Sequence, residues 1–261
     1  TRKESSAASD VYKRQDEARV EAKKHGITFV PGIEVTTKHH GVSVHMLAYL
    51  PDPSHDPLVN RLNEVRAARE TRIERFVENL AVDFPGINLA SVKATQAEEG
   101  KSVGRPHIAD AFINLGYFKD RSEAFDGPLS KASKYYVRSE GIETVEAVKL
   151  IRAAGGVPVM AHPLARGRGQ GDLVITNAHR ERFVEVIEAG LAGFEVNHRE
   201  VGDIAREWLT GLALEFDLVL TGSSDYHGLL GKPNLLGENT TSLEMLKRIE
   251  AQATGSVIQW A

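Results

Sequence analysis

The sequence predicts an α/β fold in which a parallel sheet closes as a barrel and a helical subdomain interrupts it. Three observations carry this reading. Downstream of residue 134, helical and strand-like patterns alternate with short links, the rhythm of parallel βα units. Between residues 59 and 133, helical patterns follow one another with little strand signal. Four short segments carry oxygen or imidazole metal ligands: Pro31-Gly32-Ile33-Glu34, Val44-His45-Met46-Leu47-Ala48-Tyr49, Met160-Ala161-His162-Pro163 and Gly222-Ser223-Ser224-Asp225-Tyr226-His227. Three of them stand at or just past β-branched apolar runs, where the strands of a parallel barrel deliver catalytic side chains.

The elements follow in chain order. Residues 5–15 resemble one reading frame of a transposase-end adapter used in sequencing libraries, so residues 1–15 are read as an artefactual or disordered tail and set aside. A helical pattern runs from Asp16 to Gly26. Strands are expected at residues 27–30 and 42–50, and Pro51-Asp52-Pro53 ends the second. Leu62, Val65, Ile73, Phe76, Val77 and Leu80 lie on one face of a helix. Residues 105–115 form another, with Gly116 as the stop. Helices at 144–154, 180–189 and 201–214 then alternate with strands at 157–161, 193–196 and 217–221. Thr241-Ser242-Leu243-Glu244 has capping-box spacing, opening a helix before a last strand at 257–260. The domain reading is therefore a barrel from residues 16–58 and 134–261, with a helical insertion at 59–133.

Composition excludes several classes of function. The chain of 261 residues has a formal charge of −4, with no basic surplus for general nucleic-acid binding. It has no cysteine, so disulfides and thiolate nucleophiles drop out. Its apolar runs fall short of the ~20 residues of a membrane span. The cytoplasm is the default location. His, Glu and Asp without thiolates make a ligand set suited to Zn, Mn or Fe.

The ordered set Pro-Gly-Ile-Glu, Val-His-x-Leu-Ala-Tyr, Gly-Arg-Pro-His-Ile-Ala, Ala-His-Pro and Ser-Asp-Tyr-His resembles the polymerase and histidinol phosphatase (PHP) superfamily. More narrowly, it is similar to the bacterial phosphoesterases of that family that act on nucleotides. The similarity runs from about Asp16 to the C-terminus. It implies a distorted (β/α)7 barrel and two or three divalent metal ions at the strand ends. Glu34 would bridge metals, with His45 and His162 beside it on one of them, and Asp225 and His227 would each complete a different one. The implied chemistry is attack by a metal-activated water on a phosphomonoester. Family members also open with His-x-His and Asp-His segments. These are missing here, where the adapter-like peptide stands, so this chain is expected to be impaired.

Arg105 and His107 follow Gly104 at a helix start, a place suited to holding phosphate, and relatives use this segment to contact substrate phosphate. His198 ends a strand and is a catalytic candidate that could meet substrate or leaving group. Arg166-Gly167-Arg168-Gly169-Gln170-Gly171 reads as an arginine-bearing lid. His39, His40 and His55 read as exposed loop residues, and Trp208 as core. The expected substrate is a nucleoside 3′,5′-bisphosphate or a 5′-phosphorylated oligonucleotide end, with no stable protein partner evident. Histidinol phosphate is disfavoured, because relatives with that activity lack this Gly-Arg-Pro-His pattern. The alternatives are a non-catalytic PHP-type domain, kept for structure or nucleic-acid association, and an amidohydrolase-type C–N hydrolase. The latter needs a strand-end metal-bridging lysine, or a replacement for it, and no apolar strand here ends in a lysine.

Overall fold

Helix α1 (Ala7–Lys24) leads into a hairpin of β1 (Gly32–His39) and β2 (Val42–Tyr49). Four helices follow: α2 (Asp56–Ala81), α3 (Leu89–Lys93), α4 (Arg105–Asn114) and α5 (Arg121–Asp126). The chain then alternates through β3 (Ile142–Glu143), α6 (Thr144–Ala153), β4 (Val157–Ala161), α7 (Asn177–Glu188), β5 (Gly193–Asn197), α8 (Asp203–Glu215), β6 (Val219–Gly222) and α9 (Leu243–Gln252). The structure, a computed structural model, describes residues 7–96, 103–138, 141–165, 173–226 and 234–261. Among them, no helix is long and apolar enough to cross a membrane.

Contacts divide the chain into two compact units, Thr1–Leu62 with Gly141–Ala261, and Asn63–Glu140. The second unit is helical. Phe76, Leu80, Ile108 and Phe112 are fully buried in its core, and Phe84 meets the Phe112 ring edge-on at 4.9 Å. Gly104 caps α4, and His107 Nδ1 accepts the Gly104 N–H at 3.1 Å.

The first unit is built on a six-stranded mixed sheet of order β3-β1-β2-β4-β5-β6. A closed parallel barrel was the expectation. Among the described residues the sheet is open, with β3 and β6 as its edges, and β2 runs antiparallel to both β1 and β4. The cause is local. His40 and Gly41 both have positive φ, 47° and 79°. Two such residues between strands form the tight turn whose twist suits an antiparallel hairpin. Helix–strand alternation sets the parallel β4-β5-β6 half but says nothing of the hairpin beside it.

Two further expectations change. Residues 27–30 and 257–260 are not ladder strands; Phe29 and Gln259 form a single antiparallel bridge. The strand lies instead at β1, so Glu34 sits inside a strand rather than after one. Its Val35, Thr37 and His39 are buried in strict alternation, as a half-covered strand requires. Helix α9 is capped by Ser242, which accepts the Met245 N–H, one residue later than the Thr241 cap expected. The Thr241 hydroxyl is engaged elsewhere: it accepts the Gly222 N–H and donates to the Gly222 carbonyl, both at 3.0 Å.

Register decides which side chains share a face. Glu34, Leu47, Val159, Gly193 and Val219 form one row across five strands, and Thr36, His45 and Ala161 form another. Directly paired residues point the same way. The opposite face carries Met46, Ala48, Met160 and Phe194, which pack with Val148, Phe183 and Leu209 of α6, α7 and α8. Trp208 packs against this cluster and meets the Phe183 ring at 5.1 Å.

Candidate metal centre

Glu34 and His45 stand diagonally across the β1–β2 ladder on one face, within reach for long side chains. The Glu34 carboxylate lies 2.6 Å from His45 Nδ1. His162 follows directly on β4, and its Nε2 lies 3.7 Å from the same Glu34 oxygen. The His45 and His162 rings are 5.2 Å apart and nearly perpendicular. One ligand atom from each of the three residues lies within 4.8 Å of the others. His162 and Asp225 both adopt left-handed backbone, with φ 30° and 46°. Such conformations are costly outside glycine and gather at functional sites.

The electrostatics tie the group together. The adjacent imidazoles, His162 first and then His45, hold the Glu34 carboxyl far below the usual carboxylate range. Burial works against a charged His162, but Glu34, Glu195 and Asp225 together raise its pKa. Asp225 is thus close enough to act on His162, and its N–H donates to Ser223 Oγ at 3.0 Å. His198 is fully buried, its ring 5.0 Å from His162, and its Nδ1 accepts the Glu200 N–H at 3.2 Å. A cavity of about 480 Å³ opens beside the group, walled by His45 and His162 with Val44, Met160, Leu164 and Phe183.

The other sequence-derived candidates fall out as follows. His227 and the arginine-bearing segment 166–171 lie outside the described residues. Arg105 and His107 belong to the second unit. There the Arg105 guanidinium donates to the Leu129 carbonyl at 3.1 Å and lies over the Phe125 and Tyr136 rings. His39 is not an exposed loop residue but is buried at the end of β1. It forms a second histidine–carboxylate group with His40 and Glu185. Its Nε2 lies 3.0 Å from the Arg182 carbonyl, to which it can only donate, so that nitrogen has no lone pair to offer a cation. This group ties the hairpin to α7.

Sequence reading missed Glu195 and Tyr49. Glu195 is 2% exposed on β5, and its carboxylate accepts the His162 N–H at 3.1 Å. Burial pushes its pKa up; His162 works against this through its charge and its N–H, while Glu34 and Asp225 add to the push. Tyr49 is pushed up to about 12 by burial and by Glu195. The available signal was a lone carboxylate in the apolar strand Gly193-Phe194-Glu195-Val196, where unpaired charge is rarely tolerated.

No model of a known protein family matches the chain. It is 30% identical over 212 residues to a 5′-3′ exoribonuclease of Haemophilus influenzae, covering 81% of this chain and 74% of that protein. It is 27% identical over 215 residues to a 3′,5′-nucleoside bisphosphate phosphatase of Chromobacterium violaceum, covering 81% and 72%. A crystal structure of a metal-dependent phosphoesterase from Bifidobacterium adolescentis superposes with a TM-score of 0.76 at 39% identity, over 92% of this chain and 82% of that one. The chain belongs to the PHP superfamily of phosphoesterases. A Chromobacterium violaceum structure described as an amidohydrolase with bound sulfate and no metal has a TM-score of 0.67 at 24% identity, over 92% and 82%, and shares the fold. PHP membership makes this chain a hydrolase of phosphoesters, and its relatives by name act on nucleotides or RNA.

The group of Glu34, His45 and His162 fits a divalent cation. Two imidazoles and a carboxylate converge without a thiolate, a donor set for borderline and hard metals. Beneath them, the buried Glu195 carboxylate has no lysine or arginine partner among the described residues.

Proposed function

We propose that this chain hydrolyses phosphomonoesters of nucleotides, with nucleoside 3′,5′-bisphosphates or 5′-phosphorylated oligonucleotide ends as substrates. The observation that carries this reading is the convergence of Glu34, His45 and His162 within 4.8 Å. In the proposal these three hold a divalent cation, and Asp225 and His227 serve as ligands for further ions. A bound divalent cation lowers the pKa of water toward ~7 and neutralises charge on phosphoryl oxygens. The protein's own contributions are positional. Glu34 braces both histidines through one carboxylate oxygen. His198, buried beside His162, is the group proposed to meet the leaving oxygen. The neighbouring cavity falls within the ~300–1,000 Å³ range of small-molecule sites, and its lining mixes apolar residues with His179, Arg182 and Glu200. Arg105 and His107 are the proposed contacts to substrate phosphate.

Three ligand side chains suffice for one cation, and each further ion needs more. The chain is therefore proposed to turn over slowly. The test is phosphate release by the protein and its His162→Ala variant in Mn²⁺ from a nucleoside 3′,5′-bisphosphate, a 5′-phosphorylated trinucleotide and histidinol phosphate. The expected order places the nucleotides well ahead. Preference for histidinol phosphate, or phosphate release unaffected by His162→Ala, would overturn the reading.

A further inference from the structure

Glu195 has no obvious reason to be charged where it stands. It lies between Phe194 and Val196 on β5, pairs with Thr221 of β6, and is 2% exposed. Its one hydrogen bond among the described residues comes from the His162 main-chain N–H, at 3.1 Å. No lysine or arginine pairs with it there; the His162 imidazole favours its charge, while Glu34 and Asp225 are of like charge and oppose it. Burying a carboxylate is costly, and one neutral N–H with one imidazole that Glu34 and Asp225 also act on offsets that only in part. A strand selected for stability alone would carry an apolar residue or an amide here.

The position of the carboxylate explains its presence. The N–H that it accepts belongs to His162, whose backbone is left-handed at φ 30°. That conformation carries the imidazole from the end of β4 back over the sheet toward Glu34 and His45. Groups that orient a metal ligand and add negative potential behind it typically change metal affinity by 10–100-fold.

We infer that Glu195 is a positioning residue for the cation site. Its carboxylate anchors the His162 turn, and its charge finds its counter-charge in a divalent cation held by Glu34, His45 and His162. This rests on the reading of those three residues as the cation site. The protein then carries an intrinsic conflict: a charge that strains the metal-free fold is the same charge that tightens the metal.

Glu195→Gln isolates the charge, because its amide oxygen still accepts the His162 N–H. Mn²⁺ affinity of the metal-stripped protein is measured by competition with a fluorescent chelator, and metal-free melting is measured in parallel. Glu195→Gln is expected to melt at or above the wild-type temperature without metal, yet bind Mn²⁺ at least about tenfold more weakly. Glu195→Ala, which also removes the acceptor, is expected to bind more weakly still. A purely structural Glu195 gives the opposite pattern, a lower metal-free melting temperature with unchanged Mn²⁺ affinity, and that result overturns the inference. His162→Ala is the control. If it lowers Mn²⁺ affinity while Glu195→Gln does not, this inference fails alone. If His162→Ala leaves affinity intact, the cation-site reading fails and takes the inference with it.

Discussion

Gly193→Ala should damage the protein far more than a single methyl group suggests. Gly193 opens β5 in the row that joins Val159 to Val219, and a Cβ there would stand 2.3 Å from the Val219 carbonyl oxygen and 2.4 Å from its Cγ2. Carbon and carbonyl oxygen pack no closer than about 3.3 Å, so β5 and β6 must part by about 1 Å. Parting them stretches the ladder at Phe194–Leu220 and Glu195–Thr221, two residues from the carboxylate beneath the site. Overpacking costs about 1–3 kcal/mol, and two weakened ladder bonds add about 1 kcal/mol each. The sum, about 3–5 kcal/mol, corresponds to a fall of about 6–20 °C in the melting temperature of a unit this size. Scanning calorimetry of the metal-free protein reads it directly. Gly211→Ala on α8, where a new Cβ meets nothing within 4 Å, is the control and should hold or gain stability. A Gly193→Ala protein melting within about 2 °C of wild type would refute the packing argument.

Other outcomes follow from the same geometry. The raised His162 pKa contributes stability that is fully present below the ordinary value of 6.5 and is lost as pH rises through the folded value. Metal-free melting should therefore fall as pH rises above about 6.5. Mn²⁺ affinity should climb over the same interval, because the cation displaces the proton; a flat affinity between pH 6 and 8.5 would contradict this. On the acid side, Glu34, whose pKa is depressed, contributes stability above 4.5 that is lost as pH falls through its folded value. Arg105→Ala should lower kcat/KM for nucleotide phosphates by roughly ten- to a hundredfold with bound metal unchanged. It should also lower melting, since it removes the Leu129 carbonyl bond and the Phe125 and Tyr136 contacts. Full activity in that variant would make Arg105 scaffold only.

The sequence exposed some of this architecture and hid the rest for physical reasons. The residues that gather at the centre, Glu34, His45 and His162, are ones its motifs single out, because ligand types stand out in apolar surroundings. Helices α2, α4, α6 and α8 were legible from their apolar stripes. Strand β1 was obscured by composition: Glu34-Val35-Thr36-Thr37-Lys38-His39 looks polar, although its alternation is regular. Pairing direction was not legible, because a helix–strand rhythm cannot report a hairpin set by His40 and Gly41. Glu195 went unread because a charge inside a strand ordinarily points to solvent, and only the register turns it under His162.

The central claim is that Glu34, His45 and His162 hold a divalent cation. Anomalous scattering at the zinc edge, from crystals of the metal-stripped protein soaked in Zn²⁺, tests it most directly. The account predicts an ion about 2.0–2.2 Å from a carboxylate oxygen of Glu34 and from a nitrogen of each histidine. Zinc at His39, His40 and Glu185 with none among Glu34, His45 and His162 would contradict it.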